Sequence, residues 1–140
     1  MEHVVTALFA IQAIAGAVLS VAWWRQGRRG AGTLLAHIGP NLTSFALWIA
    51  FTVIGNAWWA WAAFFVLTVG TGFGDRMLVT RFRRIQGVER AGAVDYGAAI
   101  RGVFTGRLPG LVTFHALFSA AVYFGCLGVT IGVTVADLSS

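Results

Sequence analysis

The sequence predicts an all-α membrane protein, a bundle of four transmembrane helices with both termini outside the cell (N-out/C-out). Hydrophobic residues make up 58% of its 140 residues and charged residues only 11%, which is more apolar side chain than a soluble domain of this length has interior to hold. The basic residues also cluster in two of the segments between the apolar runs. We therefore expect residues 1–140 to form a single transmembrane domain.

Four apolar runs are long enough to cross a bilayer, at residues 4–24, 34–54, 57–80 and 108–135. A helix rises ~1.5 Å per residue, so about 20 residues span a hydrocarbon core of roughly 30 Å. Only Gly55 and Asn56 separate the second run from the third, which predicts an antiparallel hairpin. The first run is not typical of a signal peptide, because its positive residues follow the apolar stretch instead of preceding it.

The arginines predict the orientation. All ten basic residues are arginines in or beside the segments 25–33 and 81–107, namely Arg25, Arg28, Arg29, Arg76, Arg81, Arg83, Arg84, Arg90, Arg101 and Arg107. The other side carries only Glu2 and Asp137 as charges, so the positive-inside rule places both arginine-rich loops in the cytoplasm. Topology thus explains the net charge of +5, and no nucleic-acid partner is expected. The absence of lysine and the abundance of Ala, Gly and Val are typical of a GC-rich bacterial gene, so we expect a bacterial cytoplasmic membrane.

The long loop 81–107 mixes charged and apolar residues, which favours a short interfacial helix. Glycines at five-residue spacing oppose that helix, at Gly87, Gly92, Gly97 and Gly102. Arginine is attracted to anionic headgroups within a short distance of the membrane surface. We expect Arg81, Arg83 and Arg84 to bind anionic lipids of the cytoplasmic leaflet.

Polar residues inside the membrane are the informative ones, because they need partners in hydrocarbon. His37, Asn41 and Ser44 stand at i, i+4 and i+7, so they share one helix face. The other runs carry similar stripes, at Gln12, Gly16 and Ser20, at Thr68, Thr71 and Asp75, and at His115, Ser119, Cys126 and Thr130. We expect the stripes to meet inside the bundle, with His37, Asp75 and His115 at one depth near the cytoplasmic side.

A purely structural role is one interpretation of each of these residues. Asp75 lies next to an arginine and would form an interfacial salt bridge. His37 would bond Asn41 or a backbone carbonyl freed by Pro40. Cys126 is the only cysteine, which excludes an internal disulfide and a dithiol relay, and it is expected to serve as a packing residue.

The leading functional hypothesis is an accessory or scaffolding subunit that works with another membrane protein or with further copies of itself, because the chain is small and its helices present small residues for docking. The second hypothesis is a b-type haem held by His37 and His115, with Asn41 and Asp75 in the same polar layer and electrons exchanged with a quinone.

Two other hypotheses use the same residues. His37, Asp75 and His115 would together suit a non-haem iron or zinc ion in a membrane oxygenase or hydrolase. Small multidrug exporters have a similar size, but they depend on a glutamate in their first helix, where this chain has Gln12. Proton-coupled transport is therefore the weakest of the four.

Three segments carry a family resemblance. They are His-Ile-Gly-Pro-Asn-Leu and Leu-Trp-Ile-Ala-Phe between His37 and Phe51, Trp-Ala-Ala-Phe and Gly-Phe-Gly-Asp-Arg-Met between Ala60 and Met77, and the stretch from His115 to Leu117. Over the second, third and part of the fourth run, the chain resembles uncharacterised small four-helix membrane proteins of high-GC Gram-positive bacteria. The resemblance implies no activity, and it points only to His37, Asp75 and His115 as the positions of interest.

Overall fold

The computed structural model describes residues 1–25, 31–87 and 94–139, and its secondary structure is helical. The helices are α1 Glu2–Arg25, α2 Ala31–Ile54, α3 Ala57–Gln86, α4 Val94–Phe104 and α5 Gly110–Leu138. All except α4 are long and apolar enough to cross a membrane. The predicted all-α class is therefore confirmed for the described residues, as is the prediction of four helices long and apolar enough to span a membrane. Three of the arginines used for the orientation, Arg28, Arg29 and Arg90, lie outside the described residues.

Helix α3 is longer than predicted, because it continues beyond residue 80 to Gln86. Arg83 and Arg84 lie in its last turn, where positive charge interacts favourably with the helix dipole. Gly87 ends the helix in the left-handed conformation with φ of 67°, and its N–H donates to the carbonyl of Arg83. The helix is about 45 Å long and so exceeds a hydrocarbon core of roughly 30 Å. Its final turns therefore extend past the apolar region.

The connection between α2 and α3 is the predicted two-residue turn. Gly55 adopts a φ of 76°, and its N–H donates to the carbonyl of Phe51 over 2.8 Å. The side-chain oxygen of Asn56 accepts from the backbone N–H of Trp58 at 2.9 Å and caps the start of α3. The two helices consequently run antiparallel and pack along their length.

The four long helices form a ring in which each helix contacts the next in the chain and α5 closes the ring against α1. Helices α2 and α5 are thus diagonally opposite, as are α1 and α3. The bundle has two distinct ends. One holds the chain termini and the α2–α3 turn, and is called the terminal end. The other, called the arginine-rich end, holds the end of α3, the start of α5 and helix α4.

Two apolar clusters divide the interior. The larger lies toward the terminal end and comprises Val5, Phe9, Trp48, Phe51, Ala60, Ala63, Phe64, Leu67, Val122 and Cys126. The smaller lies at the arginine-rich end and comprises Phe82, Ala99, Val103 and Leu108. Its neighbours include Leu78 of α3 and Ala116 of α5. On α3, Gly70 and Gly74 lie between the two clusters, whereas on α5 His115 lies between Val112 and Ala116, which border the smaller cluster.

Helix α4 packs against α3 and α5 at the arginine-rich end, so the predicted short helix in the long loop is present. A Cβ atom on Gly102 would lie 2.6 Å from Cε2 of Phe82, so the glycine lets the ring lie directly against the backbone of α4. One of the glycines that argued against the helix, Gly102, therefore serves its docking. Two polar contacts join the same helices, between Arg83 and Asp95 at 2.8 Å and between Tyr96 and Asp75 at 3.1 Å.

Candidate functional site

His37 of α2 and His115 of α5 face each other across the centre of the bundle. Their ring centres are 6.2 Å apart, and the ring planes stand at 80° to each other. The two helices are diagonal neighbours, so this contact is made by side chains that reach across the axis. The polar layer predicted from the sequence thus brings its two histidines together, and we call them the histidine pair.

The ring of His37 is held by the backbone of α3. Its Nδ1 lies 2.8 Å from the carbonyl oxygen of Gly70. Because a carbonyl only accepts, Nδ1 carries the proton, and a neutral ring then has its lone pair on Nε2. Helix α3 approaches closely at Gly74, where a Cβ atom would lie 2.8 Å from Cε1 and 3.0 Å from Nδ1 of His37. The ring therefore has one orientation, fixed by a hydrogen bond and by a glycine.

Asn41 lies one turn after His37 and supports it rather than facing the histidine pair. Its Nδ2 donates to the carbonyl of His37 over 2.6 Å and lies 3.3 Å from His37 Nδ1, whose proton is directed at Gly70. The amide also packs directly on Gly70, where a Cβ atom would overlap it. Asn41 therefore fixes the local geometry of α2 against α3.

Gln12 of α1 is a site residue that the sequence reasoning did not select. Its Nε2 donates to the backbone carbonyl of His115 over 3.0 Å and lies 3.4 Å from His115 Nε2. The bond to the carbonyl fixes the amide orientation, which leaves Gln12 Oε1 buried without a partner. In the sequence, the position of Gln12 one turn before Gly16 was the signal that this helix face is near the site. In the structure, the same face contacts His115, because a Cβ atom on Gly16 would lie 3.3 Å from His115 Cε1.

His115 also has an unpartnered atom, since its Nδ1 is buried and makes no hydrogen bond in the described part of the chain. Buried polar atoms are nearly always paired, because an unmade hydrogen bond costs roughly 1–3 kcal/mol. Two such atoms, Nδ1 of His115 and Oε1 of Gln12, lie on contacting side chains of one layer. This layer therefore has the capacity to bind a further polar group or a metal ion.

The expectation that Asp75 joins the two histidines needs correction. Its Oδ2 accepts the hydroxyl proton of Tyr96 at 3.1 Å, so it faces α4. Helix α3 turns Gly70 and Gly74 toward the histidine pair instead of its polar stripe. Among the described residues, no three His, Cys, Asp or Glu side chains are arranged to hold one metal ion. His37, Asp75 and His115 therefore do not form a shared metal site in the described structure.

Asp75 and Tyr96 together form a contact with its own electrostatics. Burial raises the pKa of Tyr96 above its ordinary 10.0, and the negative charge of Asp75 and the hydrogen bond to it act in the same direction. The phenol therefore stays protonated and continues to donate at physiological pH. Cys126 lies apart from the histidine pair in the larger apolar cluster, as a packing residue would.

Comparison with known proteins adds no assignment, because no protein-family model, curated protein or solved structure matches this chain. The chemistry of the site therefore carries the functional argument. It offers two imidazoles from diagonal helices, one with its tautomer fixed by a backbone carbonyl and one with a buried nitrogen that has no partner. Imidazole nitrogens with these properties are typical ligands of haem iron and other transition metals.

Proposed function

We propose that this chain is an electron-transfer subunit that holds a b-type haem between His37 and His115. The observation that carries the proposal is the separation of the two imidazole ring centres, 6.2 Å across the bundle axis. A metal ion holds an imidazole nitrogen at about 2 Å, with the ring centre roughly 1 Å beyond, so two rings on opposite sides of one ion have centres about 6 Å apart. Ligands from facing helices are the usual way in which helical bundles hold such groups.

The surrounding residues support this ligand set. The tautomer of His37 leaves Nε2 free to ligate, with Nδ1–H held by Gly70 as a backbone partner that orients the ring. On His115, Gln12 Nε2 lies 3.4 Å from Nε2, so Nε2 accepts and the unpartnered Nδ1 carries the proton; the nitrogen that would ligate is therefore Nε2, released from Gln12. Gly16 and Gly74 let the backbones of α1 and α3 pack directly against the two rings and so help to orient them. A bound haem would supply a one-electron redox couple, and His37 and His115 would hold it within the polar layer of the bundle.

The proposal includes a partner. A single buried haem gains and loses electrons only by exchange with a second molecule, which here would be a quinone, another membrane protein or a second copy of the chain. An electron-transfer subunit that needs such a partner is one kind of accessory subunit, the role expected from the sequence. A purely scaffolding subunit remains the alternative, in which the polar layer only ties the helices together.

The proposed location is a bacterial cytoplasmic membrane, with the arginine-rich end in the cytoplasm and both termini outside. Its support is the positive-inside bias of the arginines. A reporter that folds only outside the cytoplasm, fused after Ser140, should be active, and the same reporter inserted after Gly87 should be inactive. The reverse pattern would overturn the orientation and leave the haem proposal untouched.

The haem proposal is tested by the visible spectrum of the purified chain, expressed with a supply of haem and measured before and after dithionite. We expect a Soret band that shifts on reduction and is lost in His37→Ala and in His115→Ala. The matched control is His3→Ala, because His3 is exposed at the N-terminus and lies near only Glu2. Added imidazole should partly restore the band in the two ligand variants.

Helix content by circular dichroism separates ligand loss from misfolding in these variants. A wild-type spectrum without a Soret band would reject the haem. So would a band of equal intensity in all three variants, because the haem would then be bound elsewhere. In the first case, the scaffolding subunit becomes the better proposal.

A further inference from the structure

The arginine-rich end exposes most of its arginines while its carboxylates are engaged. The exposed members in the described residues are Arg25, Arg76, Arg84, Arg101 and Arg107. Asp95 is bonded to Arg83 at 2.8 Å, and Asp75 accepts from Tyr96 at 3.1 Å. Both described carboxylates of this end are thus engaged in contacts between α3 and α4. The positive charge that remains therefore faces outward.

Helix α4 lies at the depth of the lipid headgroups. If the aromatic residues Trp58 and Trp59 mark the other membrane surface, a core of roughly 30 Å ends about 20 residues further along α3, at Leu78 and Val79. Tyr96 in the first turn of α4 reaches Asp75, which lies about one turn inside this boundary. The rest of α4 packs beside the following turns of α3, at Phe82.

The outward face of α4 combines a charge with an aromatic ring. Ala99, Gly102 and Val103 are buried against the bundle, which leaves Arg101 and Phe104 on the opposite side of the helix. Phe104 is 72% exposed at the end of α4, so its ring is available to enter an apolar medium. Arginine beside an exposed aromatic residue is the composition of helices that lie in the membrane interface.

We propose that Arg101 and Arg107, with Phe104 inserted beside Arg101, and Arg84 at the end of α3 bind the phosphate headgroups of anionic phospholipids. This set is named the headgroup face. It differs from the set expected from sequence, because Arg83 is bonded internally to Asp95 and acts as a strut that holds α4 in place. Arg81 is half-buried and contributes less surface than Arg84. The proposal does not depend on a haem.

The test uses the full chain reconstituted in nanodiscs of phosphatidylglycerol and phosphatidylcholine, extracted gently, with the retained lipids counted by mass spectrometry. Wild-type protein should retain phosphatidylglycerol in excess of its share of the bilayer. In the triple variant Arg84→Gln, Arg101→Gln, Arg107→Gln, this enrichment should fall at least about fivefold, since each arginine near an anionic surface contributes measurably to lipid attraction. The matched control replaces the same three residues with lysine, which keeps the charge and should keep the enrichment.

Amide hydrogen exchange of α4 establishes that the variant remains docked, because its internal contacts to α3 are unchanged. Equal enrichment in the glutamine variant and the wild type would overturn the proposal. Displacement of the retained lipid by inorganic phosphate alone would also overturn it, because the face would then be a site for free phosphate. An Arg83→Gln variant that lowers enrichment while α4 stays docked would restore the set expected from sequence.

Discussion

Gly74→Ala is the substitution that most directly tests the geometry of the histidine pair. The added Cβ would lie 2.8 Å from Cε1 and 3.0 Å from Nδ1 of His37, so the ring has to move. The ring moves away only by giving up the bond from its Nδ1 to the carbonyl of Gly70. A lost hydrogen bond costs about 0.5–1.5 kcal/mol, and overpacking typically costs a further 1–3 kcal/mol.

Gly72→Ala is the matched control, because it lies two residues away on the same helix and its Cβ would meet nothing within 4 Å. Both substitutions gain the helix propensity of alanine, about 1 kcal/mol over glycine in soluble helices. The control should therefore be as stable as the wild type or more so. We expect the free energy of unfolding of Gly74→Ala to be lower than that of Gly72→Ala by about 2–4 kcal/mol.

The assay is reversible unfolding in mixed micelles, with the helix signal followed as denaturing detergent is added. Repeating it in a His37→Ala background gives the coupling between the two positions, and the penalty of Gly74→Ala should largely disappear there. Equal stability of the two alanine variants would refute the close approach of α3 to His37. A penalty that persists without the imidazole would show that something other than His37 fills the space beside Gly74.

Three further predictions concern the docking of α4. Gly102→Ala places a Cβ 2.6 Å from Phe82 and should raise the rate of amide hydrogen exchange throughout α4. The control is Gly97→Ala, whose Cβ would meet nothing within 4 Å, and it should leave the exchange rate unchanged or lower it. Tyr96→Phe removes the bond to Asp75 and should speed exchange in the first turn of α4 by up to about tenfold, and no change would show that the bond contributes nothing. The pKa of Tyr96 is raised in the folded chain, so the contribution of its hydrogen bond to the docking of α4 is complete below the ordinary tyrosine pKa. That contribution is lost only as the pH rises through the raised pKa. The protection of α4 amides, corrected for intrinsic exchange, should therefore be constant from about pH 6 to about pH 9.

The geometry of the histidine pair connects the sequence pattern with the proposed chemistry. The histidine pair lies where the glycines of α1 and α3 let the helices approach the imidazoles. Ser44 and Thr130 are also buried, but each of them donates to a backbone carbonyl of the larger apolar cluster. A ligand bound there would relieve the unpartnered atoms of His115 and Gln12. These two buried atoms are the physical reason to expect a polar ligand in this layer.

The sequence by itself determined the all-α class, four helices long and apolar enough to span a membrane, and the hairpin at Gly55 and Asn56. These properties follow from the length of apolar runs and from position along a helix, and both are local quantities. It also predicted that His37 and His115 share a layer, because helices that enter from the same side place equivalent positions at equal depth.

Only the tertiary structure decided which side chains in that layer face one another. Asp75 shares the depth of the histidine pair, but it follows Gly74 by one residue and so points about 100° away around α3, toward Tyr96. The role of Gln12, the bonding of Arg83 to Asp95 and the extension of α3 to Gln86 depend in the same way on contacts with other helices. The rotation of each helix about its axis is set by packing against its neighbours, and no single stretch of sequence contains that information.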